Sequence, residues 1–90
     1  MIQLEFSSKF DRSYRRLTKK GAIPYKKIDK TLELFIKKPD YPGLGLEKLS
    51  GSEIWTIRID KQNRIFFTWI KTNKIALLLD VGKHDLYSKY

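Results

Sequence analysis

Three apolar-rich runs, "EIWTIRI" (53–59), "RIFFTWI" (64–70) and "KIALLLDV" (74–81), follow one another with only "DKQN" and "KTN" between them. Connections that short leave no room for a crossover, so the runs are predicted to turn back on one another as an antiparallel meander. Alternation assigns their faces. Trp55, Ile57 and Ile59 fall on one side and Thr56 and Arg58 on the other, while Ile65, Phe67 and Trp69 oppose Arg64, Phe66 and Thr68.

The residues ahead of the meander supply a cover for its apolar side. "IQLEF" (2–6) alternates as a short strand, and Ser8 followed by Asp11 has the spacing of a capping box, which predicts a helix start there. Phe10, Tyr14 and Leu17 make one apolar stripe, with Lys9, Arg12, Arg15, Arg16, Lys19 and Lys20 around it, and Gly21 is the expected stop. Pro24 is expected in the first turn of a second helix whose buried face is Ile28, Leu32, Phe35 and Ile36, ended by Pro39. "PDYPGLGLEKLSGS" (39–52) reads as loop. The expectation is an α+β fold, β-α-α-β-β-β, in one domain spanning residues 1–90. A helical hairpin covers one face of an antiparallel sheet and the other face is left partly open.

Composition narrows the function classes. Nineteen Lys and Arg against ten Asp and Glu give a formal net charge of +9, an excess that favours polyanions, whether nucleic acid, ribosome or an acidic protein. With no cysteine and one histidine, neither disulfides nor a usual zinc site is available, and no cofactor is expected. The polar N-terminus is unlike a signal peptide and no window matches a membrane span, so a cytoplasmic location without membrane association is the expectation. A 90-residue chain buries a thin core, and a partner that covers exposed apolar surface would add to its stability.

If the meander is right, "LEKL" (46–49), "TIRI" (56–59), "NRIFF" (63–67) and "GKHDLY" (82–87) converge on the open face. They bring a carboxylate, two guanidiniums, an imidazole and a phenol. That set suffices to cleave RNA without a metal: a base takes the 2′-OH proton, cations neutralise the phosphorane, and an acid protonates the leaving 5′-oxygen. Each residue also has a plainer reading. Glu47 alone is a solvated charge, Arg58 a cross-strand salt-bridge partner, Arg64 a strand-end cation, and a lone histidine is more often structural than catalytic. Phe66, Tyr87 and Tyr90 are either core caps or stacking surfaces. "GLGLEKLSG" lacks the ending of a phosphate-binding loop, and two serines near one histidine do not make a triad.

The order "LEKLSGSEIWTIRIDKQNRIFFTW" followed by "IALLLDVGKHDLY" resembles the RelE/ParE superfamily of type II toxin–antitoxin toxins. Members carry a K-L-x-G turn, a W-x-x-R strand, an R-[IL]-x-[FY] strand and a last strand ending G-x-H-x-x-[YF]. The resemblance spans essentially the whole chain and implies a ribosome-dependent, metal-independent mRNA endonuclease of the RelE, YoeB and YafQ kind. It implies that Arg64 contacts the scissile phosphate, His84 is the general acid, Tyr87 meets the substrate nucleotide and Glu47 is the general base. Arg58, Lys48 and Lys83 would be supporting cations and Phe66 a stacking residue, while Arg12, Arg15 and Arg16 would face ribosomal RNA. The implied partners are an acidic, partly disordered antitoxin, through which oligomerisation would occur, and the ribosome with its mRNA. The histidine departs from the RelE branch, which relies on lysines and an arginine. Two other functions remain open on this fold: a ParE-like inhibitor of DNA gyrase, and a non-catalytic RNA-binding module.

Overall fold

The computed structural model describes residues 1–83 and 85. In chain order it has β1 (Gln3–Phe6), α1 (Ser8–Lys19), α2 (Tyr25–Lys37), a short 3-10 turn (Pro42–Leu44), β2 (Glu47–Lys48), β3 (Trp55–Arg58), β4 (Asn63–Lys71) and β5 (Ile75–Lys83). The α+β class and the meander are as expected: β3, β4 and β5 are successive antiparallel neighbours. The sheet order is β1-β5-β4-β3-β2.

Two features differ from the expected sheet. β1 pairs with β5 in parallel, making the sheet mixed rather than wholly antiparallel. Alternation identifies a strand but not its neighbour, and a strand followed by a helical hairpin is free to join either edge. The loop 39–52 also contains a two-residue strand, β2, paired antiparallel with β3 through Glu47–Thr56 and Lys48–Trp55. A pairing that short has no periodicity to detect.

The helices start and stop for local reasons. Ser7, one residue before the expected cap, sits in extended conformation and its Oγ accepts the Phe10 N–H at 3.0 Å, which satisfies one of the free donors of the first turn. The Ser7 hydroxyl donates in turn to the Leu79 carbonyl at 3.1 Å, so the cap of α1 is fastened to β5. α1 gives way at Gly21, whose φ of 74° is left-handed. Pro24 is the cap of α2 rather than a residue of its first turn, and α2 ends at Lys37, two residues before Pro39.

Phe10, Ile28, Leu32 and Phe35 pack from the helices onto Ile57, Ile65, Phe67, Ala76, Leu78 and Val81 of the sheet. Ile36 is only half-buried, and Thr31 and Ser13 are buried in addition. Phe35 lies 4.9 Å from Phe67 and 5.7 Å from Trp69 between ring centroids. A β-bulge decides the faces of β5. Phe67 pairs with Leu78 but Phe66 pairs with Asp80, so Leu79 is an extra residue and the alternation slips by one. Val81 therefore joins Ile65 in the core, and Gly82 comes opposite Arg64.

Asp80 is buried just past the bulge, where β1 has ended and the start of α1 runs beside β5. Its carboxylate accepts from the Ser13 hydroxyl at 2.6 Å and from the Val81 N–H at 2.9 Å, with the Lys9 ammonium at 3.5 Å. These bonds replace the lost hydration of the charge.

Candidate functional site

Register determines which side chains share the sheet face turned away from the helices. Residues directly opposite in neighbouring strands point the same way. One row is Glu47, Thr56 and Phe66, and the next is Arg58, Arg64 and Gly82, while Asp80, opposite Phe66 in register, turns its carboxylate to Ser13 and Lys9 of α1. The structure thus brings Glu47, Arg58 and Arg64 onto one face. Strand spacing is about 4.8 Å, so Glu47 lies about 10 Å across the sheet from Phe66, near enough for both rows to border one nucleotide.

Arg58 and Arg64 are a direct cross-strand pair. Such Cβ atoms stand about 5 Å apart, and like charges placed this way destabilise a hairpin unless an anion bridges them. The Arg64 guanidinium donates a long bond of 3.5 Å to Thr56 Oγ1 on the neighbouring strand, and Thr56 is fully buried. The Arg58 guanidinium lies over Gly45, where an added Cβ would come within 3.6 Å of it. Arg58 is exposed, and among the described residues the ion pairs, Lys9–Asp80, Lys27–Asp60 and Lys37–Glu33, do not include it.

The turn that joins the two arginine-bearing strands is held by Asp60. Its Oδ1 accepts the N–H of Gln62 at 2.9 Å, the N–H of Asn63 at 2.8 Å and the Asn63 side-chain amide at 3.1 Å. Lys27 of α2 approaches Oδ2 at 3.8 Å. Partial burial alone would raise the pKa of this carboxyl. The hydrogen bonds from Gln62 and Asn63 and the Lys27 charge outweigh burial and hold it below the ordinary aspartate value. Between the helices, the Tyr14 hydroxyl donates to Asp29 at 2.9 Å. Burial, then that hydrogen bond and the Asp29 charge, push the phenol above its usual value.

Several residues expected at the site lie elsewhere. Phe66 is on the right face but fully buried, so its ring is floor rather than a stacking surface. Lys48 pairs with Trp55 and shares the helix-bearing side with it. Lys83 follows Gly82 and alternates to that side as well. Arg12, Arg15 and Arg16, expected on the first helix and not on the sheet face, are exposed on α1. His84 and Tyr87 lie outside the described residues. Thr56 and Asp60 were not singled out from sequence. Thr56 shares the alternation of Arg58, and Asp60 opens a turn segment with the residue type that most often caps its own backbone.

No family model matches the chain, and no curated protein does. Solved structures do. A copper-bound mutant toxin from Helicobacter pylori superposes with a TM-score of 0.75 at 18% identity, covering 94% of this chain and 97% of that one. YafQ from Escherichia coli gives 0.72 at 15% identity over 94% and 96%, and has also been solved in a DinJ–YafQ complex. A YoeB/ParE toxin from Agrobacterium tumefaciens gives 0.75 at 16% identity over 92% and 99%. A likeness this complete at such low identity is one of fold, and the fold is that of the RelE/YoeB/YafQ toxins.

Proposed function

We propose that the protein is the toxin of a type II toxin–antitoxin pair, a metal-independent endoribonuclease that cuts mRNA on the ribosome, with the open sheet face as its catalytic surface. The observation that carries this reading is the Arg58–Arg64 pair. Two guanidiniums set opposite each other on the face turned away from the helices favour a phosphate between them, and a phosphorane, with more charge, still more. Arg64, with Thr56 beside it, takes the scissile phosphate and Arg58 the charge that develops on it. Glu47, across the same face, takes the 2′-OH proton. His84 returns a proton to the leaving 5′-oxygen, since an imidazole can donate at neutral pH, and Tyr87 stacks on the nucleotide. These two roles rest on the motif "GKHDLY".

The partner in the cell, on this reading, is a cognate antitoxin, as DinJ is for YafQ. The cationic surface of α1, including Arg12, Arg15 and Arg16, adds affinity for ribosomal RNA without taking part in cleavage. The site of action is the cytoplasm, where ribosomes are.

The test is cleavage of mRNA by the purified protein on programmed ribosomes, with the ends analysed for 2′,3′-cyclic phosphate. Wild type is expected to cut, and Arg64→Ala and His84→Ala are expected to fold, bind the antitoxin and fail to cut. Absence of cleavage together with inhibition of gyrase supercoiling would overturn the reading in favour of a ParE-like activity. Full toxicity of both variants would overturn the site assignment.

A further inference from the structure

The stretch "YPGLGLEK" has a feature that the sheet face does not use. Gly43 does not have a left-handed φ, so its backbone does not require glycine. Its neighbour does, because an added Cβ would stand only 2.5 Å from Cε2 of Tyr41. The missing side chain lets the Tyr41 ring fold back over the chain while the residue stays 43% exposed. Gly45, two residues on, takes a left-handed φ of 55°, and the Arg58 guanidinium lies over it at ordinary contact distance. Between them opens a cleft of about 230 Å³, with Tyr41, Lys27, Lys30 and Arg58 around an apolar base that includes Leu44 and Ile59. Among the described residues no carboxylate lines it. Lys27 is drawn toward Asp60 at 3.8 Å, and Lys30 has no ion-pair partner among the described residues.

An exposed aromatic ring beside cations, over an apolar base, is how single-stranded RNA is held without regard to sequence: the base stacks and the phosphate is neutralised. Resting on the catalytic reading above, we propose that this cleft is a second nucleotide subsite. It receives the residue adjacent to the cleaved one, its base on Tyr41 and its phosphate between Lys30 and Arg58. Arg58 belongs to both places. Its stem leaves β3 opposite Arg64, and its head borders the cleft, so an RNA strand that crosses the sheet face passes directly onto α2.

Oligouridylate binding, measured by fluorescence anisotropy on the full chain carrying Arg64→Ala so that the ligand stays intact, tests this. Tyr41→Ala is expected to weaken binding by about five- to hundredfold, the range for removing one base-stacking ring, while Tyr41→Phe leaves it unchanged. An oligomer abasic at one position should lose a similar factor. Lys30→Ala should weaken binding and lower the salt slope by about 0.7. Parent-like binding by both Tyr41→Ala and Lys30→Ala overturns the proposal. So does Tyr41-dependent capture of polyglutamate as tight as that of RNA, which would make the cleft a site for an acidic peptide. Because the readout is binding, failure of wild type to cut ribosomal mRNA would remove the catalytic reading and leave a Tyr41-dependent result standing.

Discussion

Removing the Asp60 carboxylate should loosen the hairpin that carries both arginines, and the amount can be worked from its bonds. Asp60→Ala deletes the acceptor for two backbone N–H groups, those of Gln62 and Asn63 at 2.9 and 2.8 Å. The Asp60 side chain is 29% exposed, so the value for an ordinary hydrogen bond applies rather than that for a buried charge, about 0.5–1.5 kcal/mol each. The ion pair to Lys27, whose own side chain is 57% exposed, adds little. The loss is then about 1–3 kcal/mol. A 90-residue domain has roughly 4–13 kcal/mol in total, and at a urea slope near 1 kcal/mol/M the midpoint should fall by about 1–3 M. Asp60→Asn keeps an oxygen where Oδ1 accepts and should lose less than half as much. pH gives a second reading. The carboxyl titrates lower in the folded chain than in the unfolded one, where it is near 3.9. Its contribution is complete above that unfolded value and disappears as pH falls through the folded one. Urea melts of wild type and both variants at pH 7 and pH 3 provide the assay. Equal losses for Asp60→Ala and Asp60→Asn would show that charge rather than acceptor geometry holds the turn and would refute the reasoning.

Tyr14→Phe removes the hydroxyl bond to Asp29 that ties α1 to α2 and should lower stability by about 0.5–1.5 kcal/mol. Because the phenol is raised in the folded state, its contribution is complete below pH ~10 and is lost as pH rises through the folded value. The gap between wild type and variant should therefore narrow at strongly alkaline pH in parallel denaturant melts. Phe35→Ala empties the place between Phe67 and Trp69 and should cost about 3–5 kcal/mol, enough to bring the thermal transition close to ambient temperature by circular dichroism. Arg58→Ala has the opposite sign for stability. Relief of the like-charged cross-strand pair should leave the stability unchanged or raise it by up to about 1 kcal/mol, while the proposed cleavage on ribosomes should collapse.

The two helices and the three meander strands were legible because the helices and the two nine-residue strands repeat one period over many residues, because the short links between the strands leave only hairpins, and because Gly21 and Pro39 punctuate where the chain must stop. Ser7 and Ser8 are equally good caps by residue type. The fastening of the Ser7 hydroxyl to the Leu79 carbonyl, 72 positions away, chose between them, and no local pattern reports that. The same holds for β1, whose alternation fits any edge, and for β2, which is two residues long. Lys48 shows why proximity in sequence misleads at a site. It neighbours Glu47, yet a strand sends adjacent side chains to opposite faces, and pairing with Trp55 puts it on the far side. Phe66 shows the limit of the inverse inference, since a residue on the face opposite the main core can still be wholly buried.

Arg64 depends on something the alternation rule denies. In an unbroken β5, counting by twos from Leu78 in the core would put Asp80 and Gly82 inward, with Val81 turned to the arginine face. The bulge at Leu79 reverses this: Val81 packs on Ile65, Asp80 is turned into its bonds with Ser13 and Val81, and Gly82, with no side chain, comes opposite Arg64. A valine there would set a branched apolar side chain beside the guanidinium to which the proposed function assigns the scissile phosphate. The bulge is anchored at both of its sides, by Ser7 on the Leu79 carbonyl and by Ser13 on the Asp80 carboxylate. α1 therefore fixes the register that places Gly82, rather than Val81, opposite Arg64. Two serines on the helical layer, neither of them a candidate for chemistry, are what the arginine face relies on for its shape.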